Sequence, residues 1–310
     1  MNVAVKEPVY IIIPVHNRKQ ITLKCLENLD KSGDLQQYHV VVVDDGSTDG
    51  TTEAINSSYP DVTVLTGDGN LWWTGAIKKG MEYAYEQGAE YFIWLNDDCL
   101  VTEQAIPDLV TFCRQSSLNI IGCQGYELDN PNQIAFGGRI RDWQGYHLVK
   151  FPENKISQCD VLNGNLVCFS KKLIDTIGYP NYKKCPHYGG DTLFSIRARK
   201  AGFKLFVDGR HKIYNLYGKS KMFPQRWLFQ EGKPTEIIKL LFTPYSLISW
   251  QMWITLNLAE YGKVMGLINF ITNYIAKYFI PVFFITILRF FPLSIRYKVS
   301  QFKQILVSNY

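Results

Sequence analysis

The sequence predicts an α/β fold in which a central sheet is flanked by helices. Short apolar runs rich in β-branched residues alternate with stretches whose apolar residues recur at helical spacing, as in βαβ units. Polar and acidic residues follow the ends of these runs, where α/β sheets bind ligands. The 310 residues include 18 Phe, 19 Tyr and 7 Trp, enough for a sizeable core, which excludes a disordered or fibrous protein.

The predicted elements follow one another closely along the first two thirds of the chain. Continuous apolar runs predict buried strands, and helical spacing predicts the helices between them. We expect strands at 9–15, 39–45, 61–67 and 91–95, helices at 22–29 and 76–85, a hairpin or loop over 125–151, helices from about 170 and over 191–200, and a late strand over 202–209.

The composition changes near residue 222. We therefore predict an α/β domain over 1–222 and a helical region over 223–310. Residues 1–210 hold 21 Lys/Arg and 25 Asp/Glu, whereas residues 211–310 hold 12 Lys/Arg and 3 Asp/Glu. The basic residues of this last part are interleaved with Trp, Phe, Leu and Ile, which favours an anionic membrane surface and not nucleic acid as the partner.

Two apolar runs in the helical region bear on how it meets a membrane. Residues 240–259 carry no charge but are interrupted by polar residues and a proline, and 278–288 is only eleven residues long. We expect helices that lie in the membrane interface. A helical bundle buried against protein, including a homodimer, and a true membrane span are the alternatives.

The termini and cysteines indicate the cellular setting. The N-terminus lacks the basic and apolar regions of a signal peptide. The seven cysteines are scattered, odd in number and without CxxC spacing, which argues against a disulfide framework or a zinc site. We expect the reducing cytosol.

Four polar segments follow the predicted strands and should converge on one crevice. They are PVHNR at 14–18, VVVDDGSTDG at 41–50, GDGNLWWTGAIKKG at 67–80 and WLNDD at 94–98. Their carboxylates suit a cation, while Asn17, Arg18, Lys78 and the Trp rings suit an anion. A nucleotide diphosphate bridged to protein by a metal needs this mixture, because Mg²⁺ usually binds one or two carboxylates plus substrate phosphates.

These segments resemble those of inverting family 2 glycosyltransferases of the GT-A fold, over roughly residues 8–215. The resemblance implies a mixed sheet flanked by helices, a catalytic domain over 1–222, and metal-dependent transfer of a sugar from a nucleotide diphosphate to an acceptor hydroxyl. It implies Asp98 as the ligand of Mn²⁺ or Mg²⁺ and Asp191 as the catalytic base. It also implies donor-binding residues Pro14, His16, Asn17, Arg18, Asp45, Asn96 and Asp97, and acceptor-binding residues Asn163, Gly164 and Asn165. From their chemistry and position we further expect Asn70, Trp73 and Lys78 to contact the donor, and Trp72 and His187 to contact the acceptor.

The chain departs from the family pattern at several positions. Asn96 stands where the family has the first acid of its DxD motif, and Gly190 replaces an acid before Asp191. Trp72 and Lys78 stand where many relatives have Gly and Asn. Structural alternatives also remain: the acidic pair as a helix cap or solvated turn, Asp191 as an N-cap, the Trp rings as core, and 163–165 as a simple turn.

The resemblance leads to an expected function. We expect a transferase that is peripheral on the cytoplasmic face of the membrane and builds a surface polysaccharide on a saccharide or lipid-linked acceptor. The NLWWTGA segment resembles rhamnosyltransferases, so dTDP-rhamnose is the first expected donor and a UDP-hexose the second. The alternatives are a catalytically degenerate nucleotide-sugar-binding partner in a membrane assembly complex, and a sugar-nucleotide pyrophosphorylase, although PVHNR lacks the glycines of a pyrophosphorylase phosphate loop.

Overall fold

The computed structural model describes residues 6–142, 145–216 and 225–307, and the chain divides into two compact units, Met1–Gly218 and Lys219–Tyr310. The predicted domain boundary at 222/223 lies outside the described residues. The strands of the first unit are β1 (Val9–Val15), β2 (His39–Asp44), β3 (Thr63–Thr66), β4 (Tyr91–Leu95), β5 (Cys99–Leu100), β6 (Asn119–Glu127), β7 (Asn130–Phe136), β8 (Gly138–Asp142), β9 (Gly145–Leu148), β10 (Ile156–Cys159), β11 (Val161–Leu162), β12 (Leu166–Ser170) and β13 (Lys204–Asn215).

Seven helices lie between these strands in the described part of the first unit, and the first, fourth, sixth and seventh of them lie where the sequence predicts helices. They are α1 (Lys19–Lys31), α2 (Asp34–Gln37), α3 (Thr51–Ser58), α4 (Trp72–Glu86), α5 (Ala105–Gln115), α6 (Lys171–Ile177) and α7 (Gly190–Lys200). Helix α4 begins four residues earlier than predicted, so the two tryptophans lie in its first turn. The stretch 125–151, predicted as a hairpin or loop, contains the antiparallel pairs β6–β7 and β8–β9, in agreement with the hairpin prediction.

A mixed sheet organises the first unit. Within the described residues its strands run in the order β10-β13-β6-β12-β4-β1-β2-β3, with β5 added to β13 and β7 to β6. Strand β1 is parallel to both β2 and β4, and β12 is antiparallel to β4 and β6. A smaller sheet has the order β11-β8-β9. This is a mixed α/β GT-A-like fold, as predicted.

The two faces of the main sheet each bury an apolar cluster. In β1, Ile11 and Ile13 face the cluster formed with α1 and α5, while Ile12 faces the cluster formed with α4. Because both faces are covered, β1 is a continuous apolar run, as expected for a central parallel strand. All seven cysteines are free thiols in buried positions.

The second unit is helical. Its elements are α8 (Gln225–Phe229), α9 (Glu236–Phe242), α10 (Trp250–Tyr261), α11 (Lys263–Asn269), a π-helical segment (Phe270–Phe279), α12 (Ile280–Leu288) and α13 (Leu293–Val307). The uncharged stretch 240–259 is not one helix, because α9 ends at Phe242 and α10 begins at Trp250. In contrast, the eleven apolar residues at 278–288 are the end of a helix that runs continuously over Lys263–Leu288. The argument from the length of 278–288 was therefore wrong, whereas the break in 240–259 agrees with the proline and polar residues that interrupt this run.

One side of this long helix packs within its own unit and the other is exposed. Tyr274, Val282 and Ile285 join the buried cluster formed with α8 and α9. The exposed side is predominantly apolar, although Thr272 and Lys277 are also exposed, and it includes Val264, Ile268, Ile271, Ile275, Phe279, Phe283, Phe284 and Ile287. By length and composition alone this helix could cross a membrane, and 22% of its most apolar window is buried.

Two arginines expected to favour anionic lipid donate hydrogen bonds to the backbone of their own unit. Arg289 is 4% exposed, and its Nη2 donates to the carbonyl oxygens of residues 230, 231 and 232. Arg296 donates to the carbonyl oxygens of Leu228, Arg289 and Phe291. These cations therefore stabilise the helical unit, and the exposed side of the long helix is predominantly apolar.

Candidate functional site

A cavity of about 280 Å³ lies beside the carboxyl ends of β1 and β2. Its position agrees with the rule that α/β sheets bind ligands beyond the carboxyl ends of their strands. The lining residues are Pro14, Val15, His16, Arg18, Asp45, Gly69, Trp72, Trp73, Ala76 and His187. Three of the four predicted segments therefore meet here, together with the predicted histidine that precedes α7.

The loop after β1 is tied to the loop after β2. His16 Nδ1 donates to the carbonyl oxygen of Asp45 at 2.6 Å, so its Nε2 accepts from Asn17 Nδ2 at 2.9 Å. Asn17 adopts a left-handed backbone with φ of 51°, which asparagine tolerates well. Its backbone N–H donates to Ser47 Oγ, and its Oδ1 accepts from the backbone N–H of Thr48. Asn17 thus holds two cavity loops together.

The Asp45 carboxylate organises the beginning of α4. It is 4% exposed, and its Oδ1 accepts the backbone N–H groups of Gly69 at 2.9 Å and Leu71 at 3.2 Å. Its Oδ2 accepts the N–H of Trp72 at 2.8 Å. Trp72 has a φ of 54°, a strained value for a bulky residue, and this hydrogen bond helps to hold it there. Asp45 therefore fixes the cavity wall while also lining the cavity.

The acidic pair after β4 is bound by Arg18. Arg18 Nη1 lies 3.0 Å from Asp97 Oδ1, and Nη2 lies 2.9 Å from Asp98 Oδ2. Asp97 is 1% exposed and also accepts a hydrogen bond from Thr22 Oγ1. Burial raises the pKa of Asp97 to about 7, although Arg18 favours its ionised form. The pair is therefore neither a helix cap nor a solvated turn.

The donor groups of this segment fit a metal held mainly by substrate. Among the residues that the structure describes, no three His, Cys, Asp or Glu side chains are grouped to hold a metal ion. Asp97 is buried and engaged, and Asn96 Oδ1 accepts the indole N–H of Trp73 at 2.8 Å. The Asp98 side chain keeps 16% exposure. A single carboxylate suits Mn²⁺ or Mg²⁺ only when diphosphate oxygens complete the coordination.

Asp191 lies at the start of α7 beside the loop after β11. Its Oδ2 accepts the backbone N–H of Gly164 at 3.0 Å, and its Oδ1 accepts the backbone N–H of Thr192 at 2.6 Å. The N-cap of this helix is Gly189, so the alternative of Asp191 as the N-cap is wrong. Asp191 does not line the cavity itself, but Gly164 connects it to Trp73, which does.

Gly190, where the family has an acid, has no room for a side chain. A Cβ atom built there would lie 2.1 Å from Thr74 Oγ1. Thr74 itself is held by its backbone N–H, which donates to the carbonyl oxygen of Pro186 at 3.0 Å. The missing acid therefore reflects the close approach of α4 to α7.

His187 lines the cavity opposite the first turn of α4. Its ring centroid lies 5.4 Å from that of Trp72 and 4.4 Å from that of Tyr188. Burial lowers its pKa, and Asp191 opposes this shift. Trp72 is 37% exposed and does not belong to the core, whereas Trp73 packs against the apolar cluster that includes Ala76 and Trp94.

Ten of the predicted residues do not line the cavity, and besides those described above they are Asn70, Lys78, Asn163 and Asn165. Lys78 Nζ lies 2.5 Å from Glu82 Oε1 and within 6 Å of the Tyr179 and Tyr182 ring centroids, because one further turn of α4 points it away. Asn70 is exposed and hydrogen-bonds to Asp68. The backbone N–H of Asn163 donates to the carbonyl oxygen of Gly137 at 3.1 Å. The carbonyl oxygen of Asn165 accepts the N–H of Asn96 at 2.9 Å.

The cavity also contains residues that the sequence analysis missed, namely Val15, Gly69 and Ala76. Ala76 was detectable, since it lies one turn after the two tryptophans on the same helix. Gly69 has a φ of 84°, and the sequence GDGN at 67–70 is typical of a turn. Val15 carried no signal beyond its position at the end of β1.

The cavity lies at the strand ends of a GT-A-like sheet and beside a segment of paired aspartates. Residues 10–170 match the family described as Glycosyl transferase family 2, which is more than half of the chain. The chain belongs to glycosyl transferase family 2.

Proteins similar to this chain come from several organisms. The chain is 26% identical over 202 residues to glycosyltransferase AglE of Haloferax volcanii, covering 64% of this chain and 63% of that protein. It is 28% identical over 133 residues to galactofuranosyltransferase GlfT1 of Mycobacterium tuberculosis, covering 42% and 43%. The matches thus span less than two thirds of these relatives.

Solved structures confirm the fold. GalNAc-T7 with UDP, GalNAc and Mn²⁺ superposes with a TM-score of 0.58 at 14% identity, covering 86% of this chain and 54% of the other. Mannosyltransferase PcManGT of Pyrobaculum calidifontis, in complex with GDP-Man and Mn²⁺, gives 0.53 at 15% identity, covering 93% and 85%. Residues 1–349 of TarS of S. aureus, in complex with UDP-GlcNAc, give 0.54 at 13% identity, covering 88% and 73%.

Proposed function

We propose that this chain is an inverting glycosyltransferase that moves a sugar from a nucleotide-diphosphate donor to an acceptor hydroxyl. The observation that carries the proposal is the cavity itself. It joins the loops after β1 and β2 with the start of α4, and Arg18 links it to the acidic pair after β4. Family membership and neighbours solved with nucleotide sugars support the same donor class.

Asp98 would hold the divalent metal on the protein side of the donor diphosphate. The metal would neutralise charge that builds on the diphosphate as it leaves the sugar. Arg18 lines the cavity and is the cation beside Asp98, so it contributes positive charge in the same place. Two of the neighbouring structures contain Mn²⁺, which supports a divalent metal and leaves the choice between Mn²⁺ and Mg²⁺ open.

Asp191 would remove the proton of the attacking hydroxyl. In an inverting transfer the hydroxyl oxygen bonds to the anomeric carbon as the bond to the diphosphate breaks, and the proton passes to a base on the acceptor side. Hydrogen bonds from the backbone N–H groups of Gly164 and Thr192 fix the two carboxylate oxygens of Asp191. The base is therefore oriented before the acceptor arrives.

The donor and acceptor that we propose are those expected from the resemblance of the NLWWTGA segment and of the whole chain to known transferases. Our first donor is dTDP-rhamnose and our second a UDP-hexose, and the acceptor is a saccharide or a lipid-linked saccharide of a surface polysaccharide. The apolar and aromatic lining of the cavity by Ala76, Trp72 and Trp73 suits a sugar that carries little polar surface, such as a 6-deoxyhexose.

The test offers purified protein a panel of dTDP-, UDP- and GDP-sugars with Mn²⁺ and measures the release of nucleoside diphosphate. We expect release from one donor, abolished by EDTA and reduced at least roughly 100-fold in Asp98→Asn. Asp68→Asn is the matched control, because Asp68 is an exposed aspartate in a neighbouring loop. No release from any donor, together with no Mn²⁺-dependent binding of dTDP, UDP or GDP, would contradict the proposal.

A membrane-binding role for the second unit is our second proposal, at the cytoplasmic face of the cell membrane. The exposed apolar side of the Lys263–Leu288 helix supports it, because monomeric soluble proteins rarely expose so long an apolar surface. The opposite side of the same helix packs on α8 and α9. A helix that is covered by protein on one side favours immersion in the membrane surface over a crossing.

Cosedimentation with vesicles of phosphatidylglycerol and phosphatidylethanolamine tests this role. Phe283 and Phe284 are more than half exposed, so changing both to Glu should weaken binding at least roughly tenfold. Leu118→Glu, an exposed apolar position of the first unit, is the control. Resistance to alkaline carbonate would instead indicate a span. If the protein is instead a dimer in the absence of vesicles, and the double variant is a monomer, the exposed apolar side is an interface with a second copy of the chain.

A further inference from the structure

Trp73 is fixed between the acidic pair after β4 and the loop after β11. Its indole N–H donates to Asn96 Oδ1 at 2.8 Å, next to the acidic pair. Its ring meets the edge of Trp94 at an interplanar angle of 89° and a centroid distance of 5.5 Å. The same side chain lines the cavity. It therefore belongs to the cavity wall and cannot turn freely, since turning would leave the indole N–H without its acceptor.

The far edge of the Trp73 ring packs on Gly164. A Cβ atom at Gly164 would lie 2.4 and 2.5 Å from the ring atoms Cζ2 and Cη2, and 3.3 Å from the Cβ of Asp191. Only glycine fits at this distance, and its N–H donates to Asp191 Oδ2 at 3.0 Å. One ring thus spans from the strand end that carries Asp98 to the loop that holds Asp191.

The departure from the family pattern at Gly190 has a structural cause. Gly190 leaves room for Thr74, the next residue of α4, whose Oγ1 would lie 2.1 Å from any Cβ there. At Asn96 the side-chain oxygen accepts the indole N–H of Trp73, which a carboxylate oxygen of the family's Asp could also do. The substitution at Gly190 therefore accommodates the first turn of α4.

We propose that Trp73 determines sugar specificity as the wall of the donor-sugar subsite, and that Asn96 is its positioning residue and not a metal ligand. This inference rests on the proposed function. The Trp73 ring lies between the metal-side aspartate and the base. The transferred sugar must bind beside this ring, because its anomeric carbon is bonded to the diphosphate on one side and is attacked by the acceptor from the other. The indole face contacts the C–H face of that sugar, so it acts on the sugar and not on the nucleotide.

The experiment measures two dissociation constants for each variant in the presence of Mn²⁺. One is for the nucleotide sugar that gives nucleoside diphosphate in the donor panel, and the other is for that nucleoside diphosphate alone. The Kd of the nucleoside diphosphate divided by the Kd of the nucleotide sugar measures the contribution of the sugar subsite alone. We expect Trp73→Phe to reduce the ratio roughly fivefold while the Kd of the nucleoside diphosphate stays within about twofold. Trp250→Phe, a partly exposed tryptophan of the second unit, is the control.

Asn96 variants separate positioning from ligation. Asn96→Leu removes the acceptor at similar volume and should lower the ratio as Trp73→Phe does. Its Mn²⁺ affinity in the presence of nucleoside diphosphate, measured by electron paramagnetic resonance, should stay within about twofold. Asn96→Asp keeps an acceptor for the indole and should retain the wild-type ratio. Thermal unfolding confirms that each variant is folded.

Several results would overturn the inference. A tenfold or larger loss of Mn²⁺ affinity in Asn96→Leu would make Asn96 a ligand. Equal loss of nucleoside diphosphate and nucleotide sugar in Trp73→Phe would place the ring against the nucleotide. An unchanged ratio in both variants would remove Trp73 from the sugar subsite. Absence of any Mn²⁺-dependent nucleotide binding by the wild type is a different outcome, which contradicts the proposed function itself.

Discussion

Replacing Asp45 by Asn tests whether this carboxylate holds the protein together as well as the donor. Its two oxygens accept three backbone N–H groups at 2.8–3.2 Å, all at or just before the start of α4. An Asn side chain of the same shape can keep the two bonds to Oδ1 but places an NH₂ group against the N–H of Trp72. It also removes a negative charge from a helix N-terminus.

The magnitude follows from these contacts. Hydrogen bonds to charged groups contribute about 1.5–3 kcal/mol each, and a buried donor left unpaired costs about as much. We therefore expect the free energy of unfolding to fall by about 3 kcal/mol in Asp45→Asn. Urea unfolding followed by circular dichroism measures this loss, and faster amide exchange at residues 69–72 locates it.

Asp68→Asn is the control for this experiment. Asp68 is exposed and accepts one backbone N–H, that of Asn70, so its replacement should change the free energy of unfolding by less than about 0.5 kcal/mol. If Asp45→Asn lost no more than this control while nucleotide binding disappeared, the reasoning would be refuted. The carboxylate would then serve the donor alone.

Three further predictions follow from buried or crowded groups. Asp191→Asn should lower transfer at least roughly 100-fold in single-turnover assays while the Kd of the nucleotide donor is retained, and a smaller loss would exclude Asp191 as the base. Burial raises the pKa of Asp34 to about 6, so the folded state binds its proton more tightly than the unfolded state. Stability should therefore fall as the pH rises from about 4 to 6, by up to about 3 kcal/mol, and Asp34→Asn should flatten this slope in urea unfolding. Gly164→Ala should destabilise by about 1–3 kcal/mol because the new methyl group meets the Trp73 ring, and an unchanged melting temperature would show that the ring moves aside.

The central strands could be predicted from sequence because their physics is local. The strands Val9–Val15 and Tyr91–Leu95 have the predicted bounds, since polar residues end each continuous apolar run. The number and bounds of the strands within the predicted hairpin or loop at 125–151 could not be predicted, for the opposite reason. Much of β7, β8 and β9 is exposed, so no strict alternation of apolar and polar residues marks them.

The sequence predicts which residues line the candidate site better than it predicts which of them contact one another. Seven predicted residues line the cavity because each follows a strand or opens a helix beside one. The pairing of Lys78 with Glu82 was readable from their spacing of four along a helix and was overlooked. The bond between Trp73 and Asn96 was not readable, because 23 residues separate partners whose meeting depends on the whole sheet.

The buried thiols of the first unit have a practical consequence for studying motion. Burial raises the pKa of Cys25, Cys99, Cys123, Cys159, Cys168 and Cys185, so none of them forms a reactive thiolate readily near neutral pH. Cys113, the seventh, is also fully buried. A single new cysteine on the protein surface would therefore be the preferred target of a maleimide dye, and spectroscopic labels can be introduced without first removing the native cysteines.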